Sequence, residues 1–371
     1  MIPLAKPLVG KAEERAVIAV MRSRMIAQGK EVLRLEEEVS KRFGRNAVAV
    51  SSGGAALLLA LKALGVSKGD EVIVPDFTFP AGALATMWLD AIPVPADVEE
   101  DSLGIDPEEV KRLVTEKTKV IVVVHQLGIP ARIEEIRSLC DDKGIALLED
   151  AACAFGGKTR NGKMAGTIGD ISVFSFHPRK IVTSGEGGML LCDQNYLQTV
   201  LSFRNYGKKG MGYEVQFEDI GLNFRMSDIL AAVALENLKR MDKGLARRKK
   251  IFGWFVEALE GIKGIEIPKG YFLDGCTYQT FAVRIKGSAK SVAKALLTRG
   301  IECGPAAYSL VSQKVFKDRY GTRRIKVSQR LANELLALPF YEEMTRKDVL
   351  LVAKALDEVM RTNRCKNGTC D

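Results

Sequence analysis

Three short segments of this 371-residue chain carry the side chains best placed for chemistry. The strongest is Ser172-Val-Phe-Ser-Phe-His-Pro-Arg-Lys180, followed by Ile181-Val-Thr-Ser-Gly-Glu-Gly-Gly188 and a new apolar run. A lysine on a turn at the end of an apolar strand has no capping or helix-face role. If it is desolvated, its ammonium can lose a proton, which imine formation requires. The second segment is Ile145-Ala-Leu-Leu-Glu-Asp150, an apolar strand ending in two carboxylates. It points them at the carboxyl edge, where open α/β sheets bind ligands, and an acid there can partner a cationic ring nitrogen. The third is Val48-Ala-Val-Ser-Ser-Gly-Gly-Ala-Ala-Leu57, a strand running through a glycine pair into an apolar helix. Free backbone N–H groups and the helix dipole make such a start an anion site.

Each segment has a plainer reading: a solvated loop lysine, a solvent-facing carboxylate, a tight strand-to-helix turn without a ligand. They gain weight together. An anion site at a helix head, an acid at a strand edge and a lysine thirty positions after that acid are the three handles of pyridoxal phosphate. One holds the phosphate, one keeps the ring nitrogen protonated, and one joins the aldehyde carbon. A fourth segment, Ala152-Cys-Ala-Phe-Gly-Gly-Lys-Thr159, nearly matches a phosphate-binding P-loop, with Ala152 at the first glycine position. A P-loop must lead straight into a helix at its Lys-Thr pair. Residues 160–169 hold three glycines and no apolar periodicity, so no helix is expected there and nucleotide hydrolysis is a runner-up only.

The elements that must position these residues follow from the apolar pattern. Short apolar runs at 47–51, 71–75, 93–97, 119–125, 146–149, 172–176 and 189–192 alternate with helix-length segments. That repetition predicts an α/β domain with a mostly parallel sheet, in which 120–124 and 146–148, apolar without alternation, are central. Apolar residues at helical spacing over 229–242, continued by the cationic stretch 243–250, predict one long helix bridging two lobes. Beyond it, 278–285 alternates like a half-exposed strand, 289–299 reads as a helix ended by Gly300, and 346–361 as a final helix. A smaller α/β lobe therefore runs from about residue 251 to 371, after a large domain over 1–250. The tail from Asn363 has no apolar pattern and is expected to fray.

Composition bounds the partners. Hydrophobic residues make up 47% and charged residues 27%, enough for a large core without signs of disorder. No apolar stretch approaches the roughly 18 residues a membrane span needs, and the start shows no secretory signal, so a cytoplasmic location is expected. Seven scattered cysteines read as reduced thiols, and two histidines exclude a histidine-rich metal centre. The net charge of +9 suits a phosphate-bearing partner. Its densest runs, 239–250 and 317–330, hold one aromatic, Tyr320, and read as solvated faces rather than a nucleic-acid surface.

These residues resemble the DegT/StrS-type sugar aminotransferases, a branch of the fold-type I pyridoxal-phosphate enzymes. The likeness runs through Ile2-Pro-Leu-Ala-Lys-Pro7, Gln28-Gly29, Val50-Ser-Ser-Gly-Gly-Ala-Ala-Leu57 and Val72-Ile-Val-Pro-Asp-Phe-Thr-Phe79. It continues in Glu149-Asp150-Ala-Ala, Gly169 to Lys180, Gly185-Glu-Gly-Gly188, Gly221-Leu-Asn-Phe-Arg-Met226 and Leu338-Pro-Phe-Tyr341.

The resemblance implies an aspartate-aminotransferase-like large domain with a mostly parallel central sheet, plus a smaller C-terminal α/β domain. It implies that Lys180 joins the cofactor, pyridoxal 5′-phosphate, and that Asp150 pairs with the ring nitrogen. Gly53, Gly54 and Ser175 then match phosphate-binding positions, Phe79 stacks on the ring, and Cys153 contacts it. Asn223 and Arg225 would reach into the neighbouring subunit's site of a homodimer, Asn223 towards the phosphate. Arg225 and Tyr308 stand at substrate-contacting positions. The implied reaction moves an amino group from an amino acid, glutamate, to a keto sugar on a nucleoside diphosphate.

Three positions depart from the family pattern. Gly54 replaces the usual threonine and should anchor the phosphate less firmly. Cys153 replaces glutamine or histidine. Residues 309–312, Ser-Leu-Val-Ser, replace a proline-rich segment ending in histidine. Relatives that deoxygenate sugars carry histidine at the lysine position, so Lys180 argues against that reaction. A regulatory, nucleic-acid-binding relative without catalysis is the alternative of a different class.

Overall fold

The computed structural model describes residues 1–210, 212–321 and 324–366. Seven strands form the central sheet: β1 (Asn46–Val50), β2 (Glu71–Pro75), β3 (Ile92–Ala96), β4 (Thr118–Val124), β5 (Ala146–Asp150), β6 (Ile171–Ser175) and β7 (Gly188–Cys192). They correspond one for one to the seven apolar runs. Their order is β1-β7-β6-β5-β4-β2-β3, and all run parallel except β7, which is antiparallel to both its neighbours.

Both faces of this sheet are buried, and the period of two decides what each residue meets. Val48, Val72, Val120, Val122, Leu148, Val173 and Leu190 face one core, shared with helices Gly53–Ala63, Ala81–Trp88 and Gln194–Arg204. Their sequence neighbours face the other side. There Ala49, Phe174 and Leu191 pack on helix Lys30–Phe43 and the first half of helix Asp228–Leu259. Ile73, Ile121, Val123 and Leu147 pack on helix Ile133–Lys143. The result is a three-layer α/β/α sandwich.

The long helix Asp228–Leu259 spans 32 residues, longer than the expected 229–250. Ala231, Ala234, Leu235 and Met241 belong to the sheet-side core, whereas Ile251, Phe252, Phe255 and Leu259 belong to a second core in the C-terminal lobe. That lobe carries a four-stranded antiparallel sheet of Ile265–Glu266, Ala282–Ile285, Leu335–Ala337 and Gly304–Pro305 in that order, with helices Ala289–Leu297 and Arg346–Lys366. The N-terminus joins it: Ile2 bridges Ile301, and Leu4 N–H donates to Glu302 at 3.1 Å.

Two expectations change. The strand expected over 278–285 starts only at Ala282, because Tyr278 sits at φ 51° and the buried Arg248 guanidinium donates to the Tyr278 and Gln279 carbonyls, each at 3.2 Å. The final helix continues to Lys366, through the first part of the tail expected to fray, and residues 367–371 lie outside the described residues. Cys140, Cys153, Cys192, Cys276 and Cys303 are free thiols, and the side chains of Cys365 and Cys370 lie outside the described residues. No helix among the described residues is long and apolar enough to cross a membrane.

Candidate active site

The carboxyl ends of β4, β5 and β6, the head of helix Gly53–Ala63 and a wall from the C-terminal lobe enclose a cavity of about 370 Å³. Lys180, Asp150, Gly53, Gly54, Phe79, Cys153, Ser175 and Tyr308 all line it. Parallel strands ending at one edge create such a crevice, so the residues collected there come from five separate stretches of sequence.

Lys180 is displayed by a pinched loop. Phe176 N–H donates to the Gly187 carbonyl at 2.9 Å, and the Phe176 carbonyl accepts from Ser184 N–H at 3.0 Å and Thr183 Oγ1 at 2.9 Å. Within the pinch, a turn from the His177 carbonyl to Lys180 N–H closes at 2.8 Å, and Gln279 Nε2 holds the Arg179 carbonyl at 2.8 Å. Lys180 Nζ donates to Cys153 Sγ at 3.1 Å. The loop is therefore a built support for one amine.

The paired carboxylates at the end of β5 divide by strand alternation. Asp150 lines the cavity and accepts from Ala152 N–H at 3.0 Å. Burial pushes its carboxyl up, while the Ala152 amide, the Lys180 ammonium and His125 pull it back towards the charged form. Glu149 points the other way and is completely buried. It accepts from Gly166 N–H at 2.5 Å, Ile168 N–H at 2.8 Å, Gly169 N–H at 3.0 Å and Ser172 Oγ at 3.2 Å. His125 Nε2 lies 3.0 Å from Glu149 Oε1, and its Nδ1 accepts from Ala131 N–H at 3.2 Å, which places the ring proton on Nε2. Burial alone would raise the Glu149 carboxyl, yet His125 and the glycine amides hold it below the ordinary range. Glu149 is tied into the fold, and Asp150 is the carboxylate that lines the cavity.

The helix head fits a phosphate. Ser52 caps it by accepting from Ala55 N–H at 3.0 Å, leaving the first N–H groups, on Gly53 and Gly54, without intrahelical partners. A Cβ on Gly53 would stand 2.9 Å from Ser175 Cβ and 3.1 Å from its Oγ, so only glycine lets the helix approach that hydroxyl. A Cβ on Gly54 would meet only Ser52 Oγ, at 3.8 Å. The threonine of the family pattern would therefore fit, and packing does not impose glycine there. With an anion cradle, a half-buried acid and a supported amine on one cavity, the residues present fit pyridoxal phosphate.

Phe79 and Tyr308 face each other across the mouth, with ring centroids 6.4 Å apart. Phe79 is 69% exposed, a large apolar ring left free for stacking. Asn223 and Arg225 are not in this cavity. Their segment pairs with the end of β1, where Ser51 N–H donates to the Phe224 carbonyl at 2.8 Å, and Arg225 hydrogen-bonds Asn205. Arg225 lines a separate cavity of about 800 Å³ with Gln28, Gly29 and Arg204.

Gln126, Thr78, His177, Glu186 and Gln279 also line the site and were not singled out from sequence. Gln126 follows β4 at the same sheet edge as Asp150, a signal that was legible. Gln279 arrives from the other lobe with no local pattern to mark it. Residues 151–170 contain turns but no helix, which removes the P-loop alternative.

The DegT/DnrJ/EryC1/StrS aminotransferase family matches residues 7–357. GDP-perosamine synthase from Vibrio cholerae is 36% identical over 265 residues, covering 71% of this chain and 72% of the relative. DesV from S. venezuelae superposes with a TM-score of 0.86 at 30% identity, covering 93% of each chain. The PMP form of Spr1654 from Streptococcus pneumoniae shares the fold at a TM-score of 0.94 and 23% identity, covering 99% of each chain. The chain belongs to the DegT/DnrJ/EryC1/StrS aminotransferase family and is a pyridoxal-phosphate-dependent aminotransferase.

Proposed function

We propose that this aminotransferase moves an amino group from glutamate to a keto sugar carried on a nucleoside diphosphate, yielding an amino sugar, and that it works as a cytoplasmic homodimer. The convergence of Lys180, Asp150 and the Gly53–Ser175 cradle on one cavity carries the catalytic part of this reading. The likeness to a GDP-perosamine synthase supports the sugar-nucleotide part. When bound, pyridoxal phosphate supplies an electron sink conjugated to the amino-bearing carbon.

The chain's own residues do the rest. Lys180 holds the cofactor and, once displaced, its free Nζ is the base that takes and returns the proton at the substrate carbon. Asp150 keeps the ring nitrogen protonated. The N–H groups of Gly53 and Gly54, with Ser175 Oγ, bind the phosphate, Phe79 covers the ring, and Cys153 contacts it. Tyr308 orients the sugar from the C-terminal lobe.

In the dimer, Asn223 would enter the partner's site towards the phosphate, and Arg225 towards its substrate. The exposed side chains of Tyr213, Phe217, Ile220 and Leu222 on the same segment support burial against a second copy. We divide the large cofactor domain from the small one at 250/251, where the long helix passes from one core to the other. The test is borohydride reduction of the holoenzyme followed by peptide mapping, with half-reactions of the amino form against nucleotide keto sugars. Label on Lys180 and transfer to such a sugar are expected. Label elsewhere, or no transfer to any of them, overturns the reading.

A further inference from the structure

Asp76 takes no part in the chemistry above, yet it is completely buried at the end of β2. Its backbone N–H donates to the Ala96 carbonyl at 2.8 Å, and its carbonyl accepts from Leu310 N–H at 2.9 Å. Oδ1 accepts from Val311 N–H at 2.8 Å, and Ser309 on the same segment is a further hydrogen-bonding neighbour of the carboxylate. Directly after it, Phe77 and Thr78 pair antiparallel with Ser309 and Tyr308. Residues 305–308 of the same C-terminal segment line the cavity opposite Phe79. Asp97, just beyond β3, repeats the device by accepting from Val327 N–H at 3.0 Å and from Ser328 N–H and Oγ, each at 2.8 Å. Two carboxylates at neighbouring strand ends thus hold the lobe that closes the site.

A fully buried carboxylate with no cation beside it costs stability through desolvation, and an apolar side chain could fill the same place without that cost. Its retention fits a demand for geometry. We propose that Asp76 is a positioning residue for the acceptor side of the reaction: it latches residues 308–311 to the end of β2 and so fixes the Tyr308 wall against Phe79. This rests on the reading of the cavity as the site of transfer. Burial pushes the Asp76 carboxyl up to about 6, the Asp97 charge adds to the rise, and Ser309 with the Val311 and Leu310 amides opposes it. Asp97 is the charged group that acts on it. The latch is therefore charged above about pH 6.

Amide exchange at Val311, read in the apoprotein, and the two half-reactions, read in the holoenzyme, test this together. In D76A, Val311 should exchange roughly 10- to 150-fold faster, the span of a lost hydrogen bond to a charged group. KM for the keto sugar should rise, the donor half-reaction should stay within about twofold, and D76N, an acceptor without the charge, should restore each loss only in part. Unchanged Val311 protection in D76A overturns the latch, as does an equal loss in the two half-reactions.

If D76A does not fold, wild type and D76N decide. Wild-type protection of Val311 should increase as the pH passes upward through about 6 while D76N stays flat, and two flat profiles overturn the proposal. Exchange stands apart from turnover. Latch behaviour as expected with no transfer to any nucleotide sugar overturns the functional reading, whereas full transfer with unchanged Val311 protection overturns the latch.

Discussion

Glu149 and Asp150 are chemically alike and adjacent, and the strand sends them to opposite faces. One consequence is that their substitutions should fail in different ways. Asp150→Asn leaves the fold intact but offers no charge to a ring nitrogen, so turnover should fall by roughly 10²–10³-fold with little change in melting temperature. Steady-state rates beside a thermal melt check this, and a melt that falls in step with the rate would remove Asp150 from catalysis. Glu149→Gln presents an amide to a set of N–H donors and should cost about 3–5 kcal/mol, measured by urea unfolding. The pH sign follows from its lowered folded value. The stabilisation is complete above the ordinary carboxyl range and is lost as pH falls through the folded value, so the wild type should show an acid step that the Gln variant lacks. Lys180 and Asp150 could be singled out from sequence because one lies in the turn after an apolar strand and the other ends one. The choice between the two carboxylates came from the family resemblance alone, since in the residues themselves it depends on the turn at Gly166 to Gly169 folding back beneath Glu149.

At the scale of elements, the helix head is where a single backbone approach sets affinity. Gly53 is fixed by Ser175, while Gly54 has room. Gly54→Thr should therefore add one hydroxyl contact to the phosphate without moving the helix. One hydrogen bond contributes about 0.5–1.5 kcal/mol, so cofactor dissociation from the holoenzyme should tighten by roughly 2- to 12-fold. Titration of apoprotein with pyridoxal phosphate, followed by the visible band, gives the answer, and an unchanged or weaker affinity would mean that the cradle is not phosphate-binding. The seven sheet strands could be read from sequence because burial on both faces leaves an apolar run bounded by turns. The strand at 278–285 was overextended for a physical reason: apolar alternation continues through Tyr278, but the Arg248 guanidinium claims the carbonyls a sheet partner would have used. Tertiary hydrogen bonding overrode local pattern there, and the same distance in sequence hid Gln279 from the list of site residues.

At the scale of the whole molecule, the open question is which chain completes which site. Within one chain, Asn223 and Arg225 sit beside the end of β1 but outside the cavity that holds Lys180. If they act across a two-fold axis, each site draws Lys180 from one protomer and Asn223 from the other. Lys180→Ala and Asn223→Ala should then each be inactive as homodimers yet complement one another. Random re-pairing of an equal mixture makes half of the dimers hybrids, and each hybrid has one site carrying both lesions and one carrying neither. Activity should therefore return to about a quarter of the wild-type level, after mild dissociation and reassembly of the two variants. Residues acting within their own chain cannot complement, because every site would keep one lesion whatever its partner. A mixture that stays inactive while size-exclusion chromatography shows hybrid formation would place Asn223 outside the neighbouring site, and a chain that elutes as a monomer would remove the shared-site arrangement altogether.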